Sequence, residues 1–158
     1  MTTVRRPISA EGYRKLQEEL DRLIRTERPA TTKEIEIAAA HGDLSENAEY
    51  TYAKEKLSLI DSRIRDTQER ITACEVIDLN NRPKTDRIIF GAVVTLEDMA
   101  TSEKRVFRLL GQDESDIAQG SLSVSSPLGR ALIGKEVADV VEVKTPGGLR
   151  EYEILDVS

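Results

Sequence analysis

Small and apolar residues recur through the first half of the chain at alternating spacings of three and four. The members of this stripe are Leu57, Ile60, Ile64, Thr67, Ile71 and Cys74. Such spacing is typical of the a and d positions of a coiled coil, and a helix cannot bury the stripe without a partner. An earlier stretch supplies one, because Leu16, Leu20 and Leu23 recur at spacings of four and three. The sequence therefore predicts two long helices that pack against each other.

The first helix is predicted to begin after Ser9, a good cap residue, and to end at Gly42. Pro29 interrupts its apolar pattern, and residues 31–34 (TTKE) fit a capping box that restarts the helix. We therefore expect one long helix that is kinked or briefly broken at Pro29.

The second helix is predicted to run from about Ser45 or Glu46 to about Cys74. A short turn at residues 41–45 makes the two helices an antiparallel coiled-coil hairpin, an arm of roughly 40 Å. A compact bundle of helices is the alternative. The hairpin is favoured because no third helical stripe is visible in the sequence to complete a bundle.

The chain changes character near residue 80, where Val, Gly and a Ser-Pro pair replace the Leu, Ile, Ala, Glu and Arg of the first half. Residues 80–85 are polar, contain Pro83, and are interpreted as a linker between a domain at 1–79 and another at 86–158. A short helix is predicted at 127–133, ended by Gly134, and a hairpin turn at 145–148. Strand composition is found at residues 88–97, 104–110, 121–124, 139–145 and 149–157. The predicted fold class is α+β, with antiparallel pairing dominant in the second domain.

The composition of the chain excludes several classes of function. The formal net charge is −6, whereas modules that bind duplex DNA on their own are usually basic. Cys74 and His41 are the only residues of their types, so metal clusters built from Cys or His are excluded. No apolar run approaches the roughly 18 residues that span a bilayer, and we expect a cytoplasmic protein without a membrane partner.

The residues best suited to chemistry are acidic and lie at the turn between the two helices. Asp43, Glu46 and Glu49 follow one another at three-residue spacing, which puts them on roughly one helix face. Helix capping is one interpretation, with Asp43 as the cap and Glu46 as its partner. The other is part of a Mg²⁺ site, since Mg²⁺ takes about six oxygen ligands. Asp43 and Glu46 supply two at most, so water, substrate phosphate or a second protein must supply the rest.

Three separate motifs of the chain resemble one known family. Residues 42–50 (GDLSENAEY), followed by AKE at 53–55, resemble the tip of the bacterial GreA/GreB transcript-cleavage factors. Residues 111–116 (GQDESD), 126–135 (SPLGRALIGK) and 145–148 (TPGG) resemble the C-terminal domain of the same family. The resemblance implies a coiled-coil hairpin followed by an FKBP-like domain. It also implies that the hairpin enters the secondary channel of bacterial RNA polymerase.

The function implied by the resemblance is that of a transcription elongation factor that is not an enzyme by itself. Asp43 and Glu46 match the acidic pair that helps to hold the second Mg²⁺ and a water at the polymerase active site. The polymerase then hydrolyses a phosphodiester bond of backtracked RNA and releases a short fragment from the nascent RNA 3′ end. A monomer is expected.

Further residues of the tip match the same motif. Ser45 and Asn47 are expected to orient the carboxylates or to contact RNA and polymerase, with capping by Ser45 as the alternative. Leu44 is predicted to pack against the channel of the host. Tyr50 and Tyr52 either stack on RNA bases or pack across the hairpin, and packing is favoured.

Two more surfaces are candidates for contact with the partner. Ser126, Pro127 and Leu128 begin the short helix and match the region of the family that docks on a coiled coil at the channel rim. The first helix has a basic side that matches an RNA-contacting patch of the family and consists of Arg14, Lys15, Arg22, Arg25 and Arg28. An ordinary solvated face, in which nearby acidic residues pair with these, is the favoured alternative.

Two other functions are weighed against this one. A regulator that occupies the same channel without stimulating cleavage is disfavoured, because Asp43 and Glu46 are both present. A chaperone or peptidyl-prolyl isomerase is disfavoured as well. An isomerase pocket needs an aromatic lining, and the second half offers only Phe90, Phe107 and Tyr152.

Overall fold

The computed structural model describes residues 5–42, 47–83 and 85–158. By packing, the chain divides into two compact units, one of which is Arg14–Ala73. The other combines Met1–Tyr13 with Cys74–Ser158. The segment that precedes the helices therefore packs with the second half of the chain. The predicted domain boundary at 80–85 stays a prediction.

The helical hairpin begins with one long helix that contains a single widened turn. Helix α1 (Ala10–Arg22) passes through a π-helical turn (Leu23–Glu27) into helix α2 (Arg28–Ala40). The cause is Pro29, which lacks the N–H that would bond the carbonyl four residues earlier, and whose ring clashes with that carbonyl. The Arg28 N–H closes the π turn by donating to the Leu23 carbonyl, five residues back.

The predicted single long helix is confirmed, with a π turn in place of a break, but the predicted capping box is wrong. The Thr32 hydroxyl donates to the Arg28 carbonyl at 3.0 Å, as it would inside a continuous helix. Thr31 is buried, with 1% of its surface exposed. Packing against the second helix therefore decides the role of residues whose local sequence favours a cap.

Helix α3 (Ala48–Ala73) returns along the first helix and buries the predicted stripe. Ile60 and Thr67 are buried, and the stripe members Leu57, Ile64 and Ile71 are half-buried. Ala53 extends the same spacing toward the turn and is also buried. The buried residues of the first helix between its start and the turn are Gly12, Leu16, Leu23, Thr31 and Ala38. The coiled-coil hairpin of the prediction is confirmed.

Among the described residues, three exposed salt bridges link the two helices on either side of this seam. Exposed pairs of this kind contribute about 0–1 kcal/mol each, so they favour one register while apolar burial supplies most of the stability. The pairs are Glu34 with Lys56 at 3.3 Å, Arg28 with Asp61 at 2.8 Å and Glu19 with Arg63 at 3.0 Å.

Two short strands flank the hairpin in sequence and pair with each other. Strand β1 (Arg6–Ser9) runs parallel to β2 (Cys74–Ile77). The prediction that Cys74 belongs to the helical stripe is wrong, because α3 ends at Ala73 and the backbone of Cys74 pairs with that of Arg6. The predicted cap is confirmed, since the Gly12 N–H donates to the Ser9 hydroxyl oxygen at 3.1 Å.

The acidic loop at 111–116 holds the strand β1 in place. The Glu114 carboxylate accepts hydrogen bonds from the Ser9 N–H at 2.8 Å, from the Gly111 N–H at 3.0 Å and from the Ser9 hydroxyl. A Cβ added at Gly111 would lie 2.0 Å from the Pro7 carbonyl oxygen, so the close approach of the two backbones requires glycine. The motif that resembles the GreA/GreB C-terminal domain at this point is thus a structural support.

The neighbouring carboxylate of the same loop acts on the other strand of the pair. Asp113 pairs with Arg6 at 2.9 Å and accepts a hydrogen bond from the Cys74 thiol at 3.3 Å. Burial raises the pKa of Cys74 to about 11, and the Asp113 carboxylate adds to this effect. The thiol therefore stays protonated and forms part of the packing of β2.

The second half of the chain forms a five-stranded sheet with the order β5-β4-β3-β7-β6. Its pairs are antiparallel except for the parallel pair of β4 with β5. The strands are β3 (Val93–Asp98), β4 (Lys104–Leu110), β5 (Ser121–Ser123), β6 (Val140–Thr145) and β7 (Gly148–Val157). A short helix, α4 (Pro127–Leu132), packs with the core residues Ile88, Val94, Leu96, Phe107, Leu109 and Ile154. The predicted α+β fold class is confirmed.

The first strand of this sheet starts later than its composition predicts. Residues 89–92 form a turn, in which the Ala92 N–H donates to the Ile89 carbonyl at 3.0 Å. Ile88 is fully buried in the core without belonging to a strand. The stretch around Ile88 has the composition of a strand because a buried core favours the same β-branched residues that strands favour.

None of the described helices is long and apolar enough to cross a membrane.

Replacing Leu23 with Ala is expected to lower the free energy of unfolding by about 2–5 kcal/mol, because the change leaves a cavity at the π turn. Leu23 is 1% exposed, whereas its neighbour Ile24 is 42% exposed and provides the matched control. The control variant Ile24→Ala should lose less than about 1 kcal/mol. Urea denaturation followed by helical circular dichroism measures both. Equal losses would contradict the packing role of Leu23.

The Cys74 thiol is expected to react with an alkylating reagent about 100-fold more slowly at pH 8 than a thiol of ordinary pKa, since the pKa is raised from 9.0 to about 11. The rate should rise with pH toward 11. Asp113→Asn removes the nearby negative charge and should increase the rate. A native pH–rate profile with its midpoint near 9 would contradict the raised pKa.

Candidate functional site at the turn of the hairpin

The end of α2 is shaped by a glycine in the left-handed region. Gly42 has a φ of +109°, and its N–H donates to the Ala39 carbonyl at 3.5 Å. The N–H of His41 donates to the Ala38 carbonyl at 3.2 Å. These bonds satisfy carbonyls that the last helical turn leaves open. The prediction that Gly42 ends the first helix is confirmed.

The start of α3 is fixed by Asn47. Its side-chain oxygen accepts a hydrogen bond from the Tyr50 N–H at 3.1 Å, as an N-cap does. Its side-chain nitrogen donates to the Ala38 carbonyl, in the last turn of α2, at 2.7 Å. One amide group therefore joins the two helices at the point where they turn. Helix α3 begins at Ala48, later than the predicted Ser45 or Glu46, because Asn47 provides the cap.

The acidic pair itself belongs to the segment between these two helix ends. Asp43, Leu44, Ser45 and Glu46 lie outside the described residues, so their roles stay predictions. Within residues 5–42, 47–83 and 85–158, no group of three or more His, Cys, Asp or Glu side chains could hold a metal ion. The described residues that border the segment are Gly42 and Asn47, whose backbone positions are set by the contacts above.

The two tyrosines near the turn have different environments. Tyr50 is half-buried, and the Lys54 ammonium lies 5.2 Å from the centroid of its ring, a cation–π distance. Its burial agrees with the favoured interpretation of packing. Tyr52 is 66% exposed, so the same interpretation is wrong for this residue. Three-residue spacing puts Tyr50 on the stripe of Ala53 and Leu57, whereas Tyr52 lies outside that stripe.

The basic side of the first helix is interleaved with acidic partners. Arg14 pairs with Glu18 at 2.9 Å, and Arg25 pairs with Asp21 at 2.8 Å. Arg22 lies 3.5 Å from a Glu27 oxygen, and Lys15 is exposed. These pairs agree with an ordinary solvated face. A contact between Arg14, Lys15, Arg22 or Arg25 and RNA stays a prediction.

The predicted docking residues begin α4 as expected. The Ser126 hydroxyl oxygen accepts from the Gly129 N–H at 3.0 Å, and the same hydroxyl donates to the Ser123 carbonyl at 2.6 Å. Pro127 is exposed at the first helical position, and Leu128 is half-buried against the core. Ser126 and Leu128 therefore have structural roles, and docking on a partner stays a prediction.

The bridge from Asn47 to Ala38 is the feature of this site that sequence reasoning missed. The signal for a cap was present, since Asn is among the best N-cap residues and Ala-Glu follows it. Asp43 and Ser45 are equally good cap residues and lie nearer the glycine. Only the backbone position of Ala38 selects Asn47 for the second bond.

Two family models match almost the whole chain. A model described as "Transcription elongation factor, N-terminal" matches residues 6–76, and one described as "Transcription elongation factor, GreA/GreB, C-term" matches residues 82–158. The chain belongs to the GreA/GreB family of transcription elongation factors. The resemblance of the tip and the C-terminal motifs is thereby confirmed, and with it the function of an elongation factor.

Individual GreA/GreB relatives are similar over nearly their full length. Transcription elongation factor GreA of Thermodesulfovibrio yellowstonii is 49% identical over 156 residues, which are 99% of this chain and 98% of the relative. That of Pelobacter propionicus is 47% identical over 151 residues, 96% and 95% of the two chains. Among solved structures, the GreA factor homolog 1 of Thermus thermophilus is 24% identical, with a TM-score of 0.44 and coverage of 98% and 99%. The assignment to the family is based on the sequence matches.

Replacing Asn47 with Ala is expected to lower the free energy of unfolding by about 2 kcal/mol, since both the cap and the bond to Ala38 are lost. Asn47→Asp keeps the side-chain oxygen that caps α3 and removes only the N–H donor to the Ala38 carbonyl. Its free energy of unfolding should therefore fall by less than that of Asn47→Ala. Ser58→Ala, at an exposed position of the same helix, is the control and should change little. Chemical denaturation measures all three. An Asn47→Ala variant as stable as the wild type would contradict the bridge.

Proposed function

We propose that this chain stimulates the cleavage of backtracked RNA at the active site of RNA polymerase, with its hairpin inserted in the secondary channel. The observation that carries the proposal is the position of the GDLSENAEY motif at the turn of a two-helix arm, in a chain of the GreA/GreB family. The hydrolysis is the polymerase's own. The chain contributes side chains and is not an enzyme by itself.

The arm is suited to reach a buried site. Helix α3 has 26 residues, which correspond to about 39 Å at 1.5 Å per residue. Its apolar stripe is covered by the first helix, and its outer surface carries charged residues in salt bridges. Such an arm needs no third helix for its stability. It can therefore enter a water-filled channel with its packing intact.

The donor set of the acidic pair fits a hard cation. Asp43 and Glu46 offer carboxylate oxygens, the ligands that Mg²⁺ prefers in proteins, and they offer too few for a complete site. The polymerase and the RNA phosphate would supply the other oxygens, so the ion is shared rather than stably bound by this chain. When bound, the ion would activate a water and stabilise charge on the phosphate. Asp43 and Glu46 would hold the ion and orient that water by hydrogen bonding.

The surrounding residues are assigned supporting roles in the same proposal. Asn47 positions the acidic pair through its bonds to both helices. Leu44 and Ser45 contact the channel, and Tyr50 supports the turn from the seam. The α4 start at Ser126–Leu128 contacts the rim of the channel, and the nascent RNA 3′ end lies near the tip.

Asp43→Ala or Glu46→Ala is expected to abolish the stimulation of transcript cleavage while binding to polymerase is kept, because each removes half of the acidic donor set. Purified factor is mixed with stalled, backtracked complexes and Mg²⁺, and the RNA is followed on a gel. Glu69→Ala, which removes an exposed carboxylate near the opposite end of α3, is the matched control and should cleave normally.

Affinity is measured in parallel by competition with labelled wild-type protein. A wild-type chain that binds polymerase and produces no shortened RNA would overturn the cleavage function and favour a regulator that only occupies the channel. Normal cleavage by either variant would overturn the metal role.

A further inference from the structure

A groove lies between α2 and α3 close to the turn of the hairpin, with a volume of about 410 Å³. Ala38 and Ala53, each 3% exposed, form its floor. Ile37 and Tyr52 line it and are 52% and 66% exposed. Every residue that lines it is described by the structure. The groove belongs to neither the acidic pair nor the basic side of the first helix.

The groove arises from the small size of the seam residues near the turn. Farther along the arm the corresponding stripe carries Leu57, Ile60 and Ile64, which fill the space between the helices. Alanine at 38 and 53 ends at Cβ and leaves a trough beside it. Ile37 and Tyr52 are large enough to fill such a trough but lie outside the stripe, at its edges.

Exposed apolar side chains are few on the described part of the arm. The large ones are Ile24, Ile37, Tyr52 and Leu59. Two of these four meet at one groove, whereas the rest of the exposed surface is mostly charged. Exposed apolar groups that converge in a concave site are typical of a surface that another molecule covers.

The charges at the groove decide which class of molecule suits it. Glu34 and Glu49 also line it, and both are acidic. Lys56 pairs with Glu34 at 3.3 Å, and both side chains of that pair are partly exposed. An acidic lining repels RNA phosphates, and it attracts a Lys or Arg side chain. The groove therefore fits a protein segment better than a nucleic acid.

We propose that this groove receives an apolar side chain of RNA polymerase that is flanked by a basic residue. The apolar side chain packs between Ile37 and Tyr52 on the alanine floor, and the basic group faces Glu34 and Glu49. This inference rests on the proposed function, since it names the kind of polymerase surface that contacts the arm. The contact holds the arm near its tip, independently of the acidic pair.

The test compares the affinity of variants for core polymerase that carries no nucleic acid. Tyr52→Ala and Ile37→Ala are each expected to weaken binding about tenfold, as truncation of a buried interface anchor does. Leu59→Ala is the matched control, because Leu59 is 67% exposed on the same helix and does not line the groove. It should bind as tightly as the wild type. Circular dichroism confirms that each variant is folded.

A second comparison tests whether the acidic lining of the groove contributes to binding. Glu49→Lys should weaken binding further than Tyr52→Ala, and the loss should shrink as salt is raised, because the repulsion is screened. Glu36→Lys makes the same change of charge at an exposed site outside the groove and should have a smaller effect. Equal effects at the two positions would overturn the role of the acidic lining.

Two results would overturn the groove contact. One is wild-type affinity in both Tyr52→Ala and Ile37→Ala. The other is a loss that occurs only with backtracked complexes, since RNA would then be the occupant. If the wild-type chain neither binds polymerase nor stimulates cleavage, the proposed function itself fails, and this outcome is distinct from both.

Discussion

The seam between the two long helices is the constraint on which the rest of the hairpin depends. Each helix has a single apolar stripe, so neither is stable in water unless the other covers it. Pro29 lies in the middle of this arrangement and would break an ordinary α-helix. The π turn at Leu23–Glu27 lets the helix continue although Pro29 lacks a hydrogen-bond donor, and Leu23 stays buried. Everything from residue 29 to the turn keeps its register because that one turn is widened.

Near the tip, small residues and one amide replace large apolar side chains as the means of joining the helices. Ala38 and Ala53 allow close approach, and Asn47 bonds both the Ala38 carbonyl and the Tyr50 N–H. Because Ala38 and Ala53 are small, they also leave the groove between Ile37 and Tyr52. The small size of these residues therefore accounts both for the close approach of the helices at the turn and for the groove that we propose as a contact surface.

Much of the fold could be predicted because its signals are local. The alternation of three and four identifies the helical stripe, Gly42 ends the first helix, and Pro127 begins the short one. The prediction failed where a distant segment decides the outcome. Residues 31–34 read as a capping box, yet Thr31 is buried against the second helix. Cys74 fits the helical spacing, yet its backbone pairs with that of Arg6 in a parallel pair of strands.

The sequence by itself determined the antiparallel helical hairpin, the place of the acidic motif between its two helices, and the family to which the chain belongs. These depend on periodicity, turn residues and residue identity, which are properties of short stretches. Only the tertiary structure decided that Glu114 holds Ser9, that Asn47 reaches Ala38, and that two alanines form the floor of a groove. Each of these joins residues that are separate in the chain. Their distances depend on how the backbones pack, and no local pattern of residue types encodes that packing.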